Sequence, residues 1–575
     1  MKKLTILVLL FAFVLSASVV TMAEEVEIKD PWVSEKPQGE HGGTIMQAVL
    51  GDPRTFNTVI ASETSSTDVT DGPLFEGLVT RHGVTTEFIP RLAHDWEISE
   101  DGTVYTFYLR EGVQWHDGEL FTADDVIFTM DVISDEDIPT STRSVLQVDG
   151  EFPEYRKIDD YTVEFELPVP FAPFMNSIGT YIIPEHKLRE PYEDGEFTET
   201  WGIDTDPSEI VGTGPFKLVD YVPGERIVKD ANPHYWRLDP EEERLPYLDR
   251  WVKVIVESTE VQDLLFQNGE IHFNAIQGRN YGRFEQLKER GDFELIDAGP
   301  TFSTNFLVFN LNPNNPNLED QPEKKEWFDT IEFRRAVAHA FDKDTMINQA
   351  AAGFGTPQWS PVSTPNQQFL NEDVRTYPYD LDRSRELLEE AGFDWDANGN
   401  LVDWEGREVE FNIATNAGNE VRETIMNIIA DDLRELGMQV NTAPMEFNSL
   451  VSQLMNEFDF DTILIGLTGG TEPHSGSNVW KSDGPLHMWH PNQEEPHRDW
   501  EARIDELFEL GAQATEIEDR IEYYNEFQEI IADRVPLIYT MAPNAIYGVR
   551  NNLENHEISA YGGVTWNLYE QYLAY

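Results

Sequence analysis

Short apolar strands and amphipathic helices alternate from residue 43 to a last helix near 531, with no linker, repeat or low-complexity block between them. A chain written this way folds into α/β layers, because every sheet face and helix stripe needs a partner to bury it. Its 575 residues exceed what one hydrophobic core serves well, so the pattern predicts two or three compact units joined by ordered chain. Cysteine is absent, which removes disulfide staples and thiolate metal sites and leaves packing and hydrogen bonding to hold those units.

The elements are legible one by one. Gly-Thr-Ile-Met-Gln-Ala-Val-Leu at 43–50 reads as a buried strand that Asp52 and Pro53 turn out of the sheet. Alternation of large and polar residues predicts strands over 104–110 and 161–167, and Thr122 ahead of Asp124 and Asp125 caps a helix running to about Val132. Helical spacing recurs over 327–346, 382–391, 420–436 and 517–531, while 305–310 and 460–466 read as buried sheet. The sheets are therefore expected to be mixed.

Charge excludes whole classes of partner. Lys and Arg total 41 against 107 Asp and Glu, a formal charge of −66, which repels nucleic acid and anionic lipid. The acid is spread along the chain, and Lys is scarce at 14 residues beside 27 Arg, so we read a surface adapted to concentrated salt. There the screening length falls to roughly 3 Å.

Lys2 and Lys3, an apolar run over 4–20, and Thr21, Met22 and Ala23 ahead of Glu24 read as an export signal over 1–23, cleaved after Ala23. A flexible lead-in over 24–42 follows. With no cysteine for lipid attachment, the mature chain is expected to be soluble, periplasmic or secreted, and monomeric.

Motifs that imitate catalysis have simpler explanations. Trp115-His116-Asp117-Gly118 follows alternating aromatics and supplies the Asp-Gly pair of a hairpin turn. Gly212-Thr213-Gly214-Pro215 lacks the Gly-Lys-Ser/Thr ending of a phosphate loop. Neither Gly-x-Ser-x-Gly nor His-Glu-x-x-His occurs, so no enzyme is expected and no cofactor is required.

Several segments occur in a telling order. They are Leu-Phe-Glu-Gly-Leu-Val at 74–79, Pro-Arg-Leu-Ala-His-Asp-Trp at 90–96, the stretch 107–118 ending in Trp-His-Asp-Gly, and Phe-Thr-Ala-Asp-Asp-Val at 121–126. Gly-Thr-Gly-Pro-Phe-Lys at 212–217, Asn-Pro-His-Tyr-Trp at 232–236, Phe-Arg-Arg-Ala-Val-Ala-His-Ala-Phe-Asp-Lys at 333–343 and Leu-Leu-Glu-Glu-Ala-Gly-Phe at 387–393 complete it. Together they resemble the family 5 extracellular solute-binding proteins, the peptide-, nickel- and oligosaccharide-binding components of ABC importers.

That resemblance implies a two-lobed periplasmic binding protein-like α/β fold of the class II type, with an additional α/β domain inserted in the first lobe. Lobe I would take 43–75, 205–300 and 540–575, the insertion 76–204, and lobe II 301–539. The ligand would lie between the lobes, a peptide or, alternatively, an oligosaccharide, and a membrane permease would receive it.

Candidate ligand residues lie in loops at strand ends, where apolar surface meets a few oriented polar groups. The loop 466–480 offers Glu472, His474 and Trp480; Phe302 and Asn305 stand at the entrance to the 305–310 strand; Trp359 and Trp489 offer further flat rings. In peptide-binding relatives the matching loop carries an Asp for the peptide's α-amino group, whereas Gly469 or Gly470 stands there in this chain. His487, His490 and His497, with Glu494 and Glu495, suggest a metal-chelate alternative. The stretch 394–405 matches a calcium loop, with Asp394, Asp396, Asn398, Asn400 and Glu405 as ligands around Gly399, in a structural role.

Overall fold

A computed structural model of the chain describes residues 26–575 apart from 62, 63, 141, 314, 316–320, 485, 492 and 494, so the export signal and Glu494 lie outside the described residues. Thr44–Val49 runs parallel to Arg250–Ile255, which continues antiparallel through Arg226–Ala231 and Phe216–Val222 as a four-stranded sheet. A neighbouring sheet forms on the ten-residue strand Met541–Arg550, flanked by Phe273–Ala275 and Phe293–Pro300. These two sheets build the first lobe.

The inserted segment is an antiparallel sheet ordered Ala93–Ile98, Val104–Leu109, Thr162–Glu166, Glu154–Asp159. Helix Ala123–Ser134 packs over it, started by a reciprocal capping box between Thr122 and Asp125. Its apolar core is continuous with first-lobe residues such as Leu218, Ile227 and Trp236.

The second lobe holds a five-stranded mixed sheet in the order Gln439–Met445, Glu410–Asn416, Thr462–Leu467, Thr304–Phe309, Leu537–Tyr539. Thr304–Phe309 is buried at all six positions, which is why Phe306 to Phe309 reads as a continuous apolar run rather than an alternating one. Helix Glu420–Glu435 covers one face through Ile425, Met426, Ile429 and Leu433. The periodic stretch 327–346 resolves into Pro322–Asp329, Ile331–His339 and the start of Lys343–Ala351, because Thr330 and Asp342 leave helical geometry between them.

Among the described residues, two short crossings join the lobes. Phe293–Pro300 leads within a few residues to Thr304–Phe309, and Leu537–Tyr539 passes through Thr540 to Met541–Arg550. The crossings are tied together where Thr540 donates through its N–H (2.9 Å) and its hydroxyl (3.0 Å) to the Asn305 carbonyl.

The segments that carry the family resemblance fold onto one another. Gly214 N–H donates to the Leu74 carbonyl (2.8 Å), and a Cβ at Gly212 would meet that same oxygen at 1.8 Å, so only glycine fits. His116 accepts from Gly212 N–H at Nδ1 (3.0 Å), which puts its proton on Nε2, facing the Gly214 carbonyl (3.1 Å). Burial pulls this imidazole down to about 4 and keeps it neutral. Fully buried Glu76 accepts from Trp236 Nε1 (2.7 Å) and the Tyr235 hydroxyl (3.2 Å), with Arg91 at 3.5 Å. The signature therefore encodes scaffold, and the His-Asp pair at 116–117 is a structural turn.

Candidate functional site at the lobe interface

The two lobes meet along a seam. Asn176 Nδ2 donates to Ser475 Oγ (3.1 Å), Ala172 N–H to the Ala512 carbonyl (2.8 Å), and Phe171 packs edge-on against His474 with centroids 5.1 Å apart. On the other side, Phe302 meets Tyr561 edge-on at 5.4 Å and Arg279 pairs with Glu420. The seam is built largely from helix ends and short helical turns, with Phe302 and Tyr561 in loops.

Most residues singled out in the sequence are held by the protein itself. Glu472 lies only 6% exposed, accepts from Arg520 Nη2 at 2.5 Å, and caps the short helix Pro473–Gly476 through His474 N–H. It forms a buried ion pair with Arg520 and has no call on a ligand. Burial and the nearby Arg520 hold His474 down at about 4, and its ring is wedged between Phe171 and Phe508. Trp480 packs against Trp489 and Phe527 in the second-lobe core, and Trp489 donates to Glu501 from full burial. Trp359 is partly buried with the Lys343 amine 3.4 Å above its ring. These positions contradict a ligand-stacking role for Trp480 and Trp489, since neither ring has a free face.

Phe302 and Asn305 do stand at the seam. Asn305 Oδ1 accepts from Arg422 Nε (3.0 Å), while Asn416 Oδ1 accepts from Arg422 Nη1 (3.0 Å). The glycines of the loop have a steric reason as well. A Cβ at Gly469 would lie 2.0 Å from the Phe302 carbonyl, so an Asp cannot stand there, whereas Gly470 faces open space.

The calcium expectation is not met by the geometry. Asp394–Trp395 and Leu401–Val402 form a small hairpin in which Asp396 Oδ1 accepts from the Asn398 and Asn400 N–H groups, both at 2.8 Å. The Asn398 and Asn400 amides also donate to Asp396 Oδ2 (3.2 and 3.5 Å), Asp394 accepts from Trp395 N–H and Glu405 faces Arg407, so Asp394, Asp396, Asn398, Asn400 and Glu405 are spent on an Asx-turn hairpin. The histidines fare similarly: His487 is fully buried with Nδ1 on the Val479 carbonyl, and His490 packs on His497. Among the described residues, the His and carboxylate donors gathered closely enough for an ion are His41, Asp239 and Glu243.

Open space lies on the first-lobe wall instead. A cavity of about 460 Å³ is lined by the end of Thr44–Val49, by Asp68 and Lys253, and by Tyr547 and Thr565. A second, of about 210 Å³, shares Asp68 and Thr565 with it and adds Asp71, Arg81, Tyr181 and Trp566. Lys253 is buried and pairs with Asp68 at 2.5 Å; Lys229, equally buried, lies 3.6 Å from the Trp251 ring without a hydrogen bond, and burial drives its pKa far down. None of these cavity residues was singled out in the sequence. Asp71 precedes Gly72 and Pro73 and reads there as turn chemistry.

Comparison with known proteins bears on this architecture. The model for bacterial extracellular solute-binding proteins, family 5, middle region, matches residues 87–485. A probable ABC transporter-binding protein of Deinococcus radiodurans is 28% identical over 517 residues, covering 85% of this chain and 84% of its own. The oligopeptide-binding protein AppA of Bacillus subtilis is 26% identical over 91% of this chain and 90% of its own, and its structure with a nonapeptide superposes at a TM-score of 0.75, with 24% identity, over 94% of this chain and all of that one. MelB of Agrobacterium fabrum, solved with stachyose, superposes at 0.75 with 21% identity over 93% of this chain and 85% of that one. Lobes joined by crossings at 300–304 and 539–541, cavities on the first-lobe wall and a family model matching well over half its length place this chain in family 5 of the bacterial extracellular solute-binding proteins.

Proposed function

We propose that this substrate-binding component of an ABC importer captures a peptide between its lobes, without turning it over, and hands it to a membrane permease. The observation that carries the reading is the cavity of about 460 Å³ at the strand ends of the first lobe, within the roughly 300–1,000 Å³ of small-molecule sites. Peptide is favoured because AppA, a relative along nearly the whole chain, is an oligopeptide-binding protein. An oligosaccharide is the second reading, favoured by the loss of the acid anchor at 469–470 and by the fold shared with stachyose-bound MelB.

Closure would pivot on the crossings at 300–304 and 539–541, and ligand would shift the balance from open to closed by touching both lobes. We place the chain outside the cytoplasm after removal of residues 1–23, with its acidic surface suited to concentrated salt. Among the described residues, no helix is long and apolar enough to cross a membrane.

A thermal-shift screen of the mature chain in high salt tests the reading, with di- to decapeptides, α- and β-linked oligosaccharides and nickel chelates. Peptides are expected to raise Tm in proportion to the logarithm of their concentration above Kd. A shift with oligosaccharides alone selects the second reading, and no shift with any ligand on folded protein rejects both.

A further inference from the structure

Asp71 closes the helix Thr64–Thr70 and borders the 210 Å³ cavity. The Thr58 hydroxyl (2.6 Å) and the Thr70 hydroxyl (2.8 Å) both donate to its Oδ1. Among the described residues Oδ2 receives no hydrogen bond and no cation pairs with the carboxylate. In a fold whose acids outnumber its bases, an exposed unpaired acid means little. A largely buried one facing a cavity is different, because its charge has lost water without gaining a partner.

The cations nearby are already engaged. Arg81 donates to Asn176 Oδ1 and the Thr86 carbonyl, Arg91 faces Glu76, Arg237 donates to the Tyr569 hydroxyl, and Lys253 holds Asp68. Burial pushes Asp71 up to about 6, only the two threonine hydroxyls pull it back, and no arginine or lysine contributes. Tyr181, the other titratable group facing Asp71, is itself raised by burial and neutral at ordinary pH. Around the same cavity stand the rings of Tyr181, Trp251, Trp566 and Tyr569. A carboxylate in a cavity also lined by aromatic rings is the chemistry that receives an ammonium group.

We propose that Asp71 is the anchor for the ligand's α-amino group, so that the first lobe supplies the free acid that the 466–480 loop, with Glu472 held by Arg520, does not offer. This rests on the peptide reading. It accounts for two observations together: Gly469 leaves no room for an acid, and Glu472 is closed off by Arg520. A peptide held here by its amino end would extend past Arg81 and Gly562 toward the seam, where Tyr561 meets Phe302.

The test compares one peptide with a free amino terminus and the same peptide N-acetylated, by calorimetry on the full mature chain in high salt. The wild type is expected to prefer the free form by roughly tenfold or more. Asp71→Asn should remove that preference while leaving affinity for the acetylated form unchanged. Affinity for the free form should rise as pH increases through about 6, where Asp71 ionises, and hold until the peptide amine deprotonates near pH ~8. The acetylated peptide should show no such rise. Equal wild-type affinity for both forms, or an Asp71→Asn variant that keeps the preference, overturns the site while the peptide reading stands. Failure of the wild type to bind either form overturns both. The wild-type comparison needs no variant, so it decides the matter even where Asp71→Asn folds poorly.

Discussion

In the 466–480 loop Glu472 meets Arg520, His474 is wedged between Phe171 and Phe508, and Trp480 lies against Trp489 and Phe527. In the stretch from 64 to 91, Asp71 leaves one oxygen toward a cavity and Arg81 borders the same space. Both regions line or approach the seam, and both carry acid, base and aromatic groups. The first region's charges all answer one another, whereas in the second Asp71 is left without a cation although Glu76 and Asp68 have theirs. Residue type alone therefore fails to mark a binding surface; a charge left without a partner beside open volume does.

The largest expected effect breaks the closed region. Glu472→Ala leaves Arg520 buried and uncompensated and should lower unfolding free energy by about 3–5 kcal/mol in chemical denaturation. If Glu472 were instead a ligand group, stability would hold and affinity would fall.

A smaller effect of opposite sign is expected in the open region. The folded protein raises Asp71 from 3.8 to about 6, so the ionised carboxyl destabilises the fold above pH 6 and the difference vanishes below its unfolded value near 4. Asp71→Asn should therefore stabilise the ligand-free chain by about 1–3 kcal/mol at pH 7–8 and by nothing near pH 3. A destabilised variant at pH 7 would mean that Asp71 already has a cation. Least of all, calcium or its chelator should leave Tm unchanged, since the 394–405 hairpin satisfies its own carboxylates; a rise in Tm with calcium would restore that loop as a metal site.

Much of the fold was readable because periodicity and capping are local. Thr122 predicts the start of Ala123–Ser134, the buried-sheet reading of 305–310 predicts Thr304–Phe309, and 420–436 coincides with Glu420–Glu435 to one residue. The helix Asp499–Gln513 was not read, and the breaks at Thr330 and Asp342 escaped a reading based on spacing alone. The 394–405 stretch shows the limit of a motif: its ligand types and spacing fit a calcium loop, but the hairpin turns Asp396 onto its own Asn398 and Asn400 donors and Glu405 onto Arg407.

By itself the sequence determined the α/β class, the ordered scaffold segments and the exclusion of disulfides and nucleic-acid partners, because these follow from local pattern, composition and charge. Only the tertiary structure decided which polar residues were free to bind. Glu472 finds Arg520 48 positions away and Glu76 finds Trp236 160 positions away, whereas among the described residues Asp71 finds only Thr58 and Thr70. A carboxylate's availability depends on what the fold brings to it, and that is a property of distance in space rather than of order in the chain.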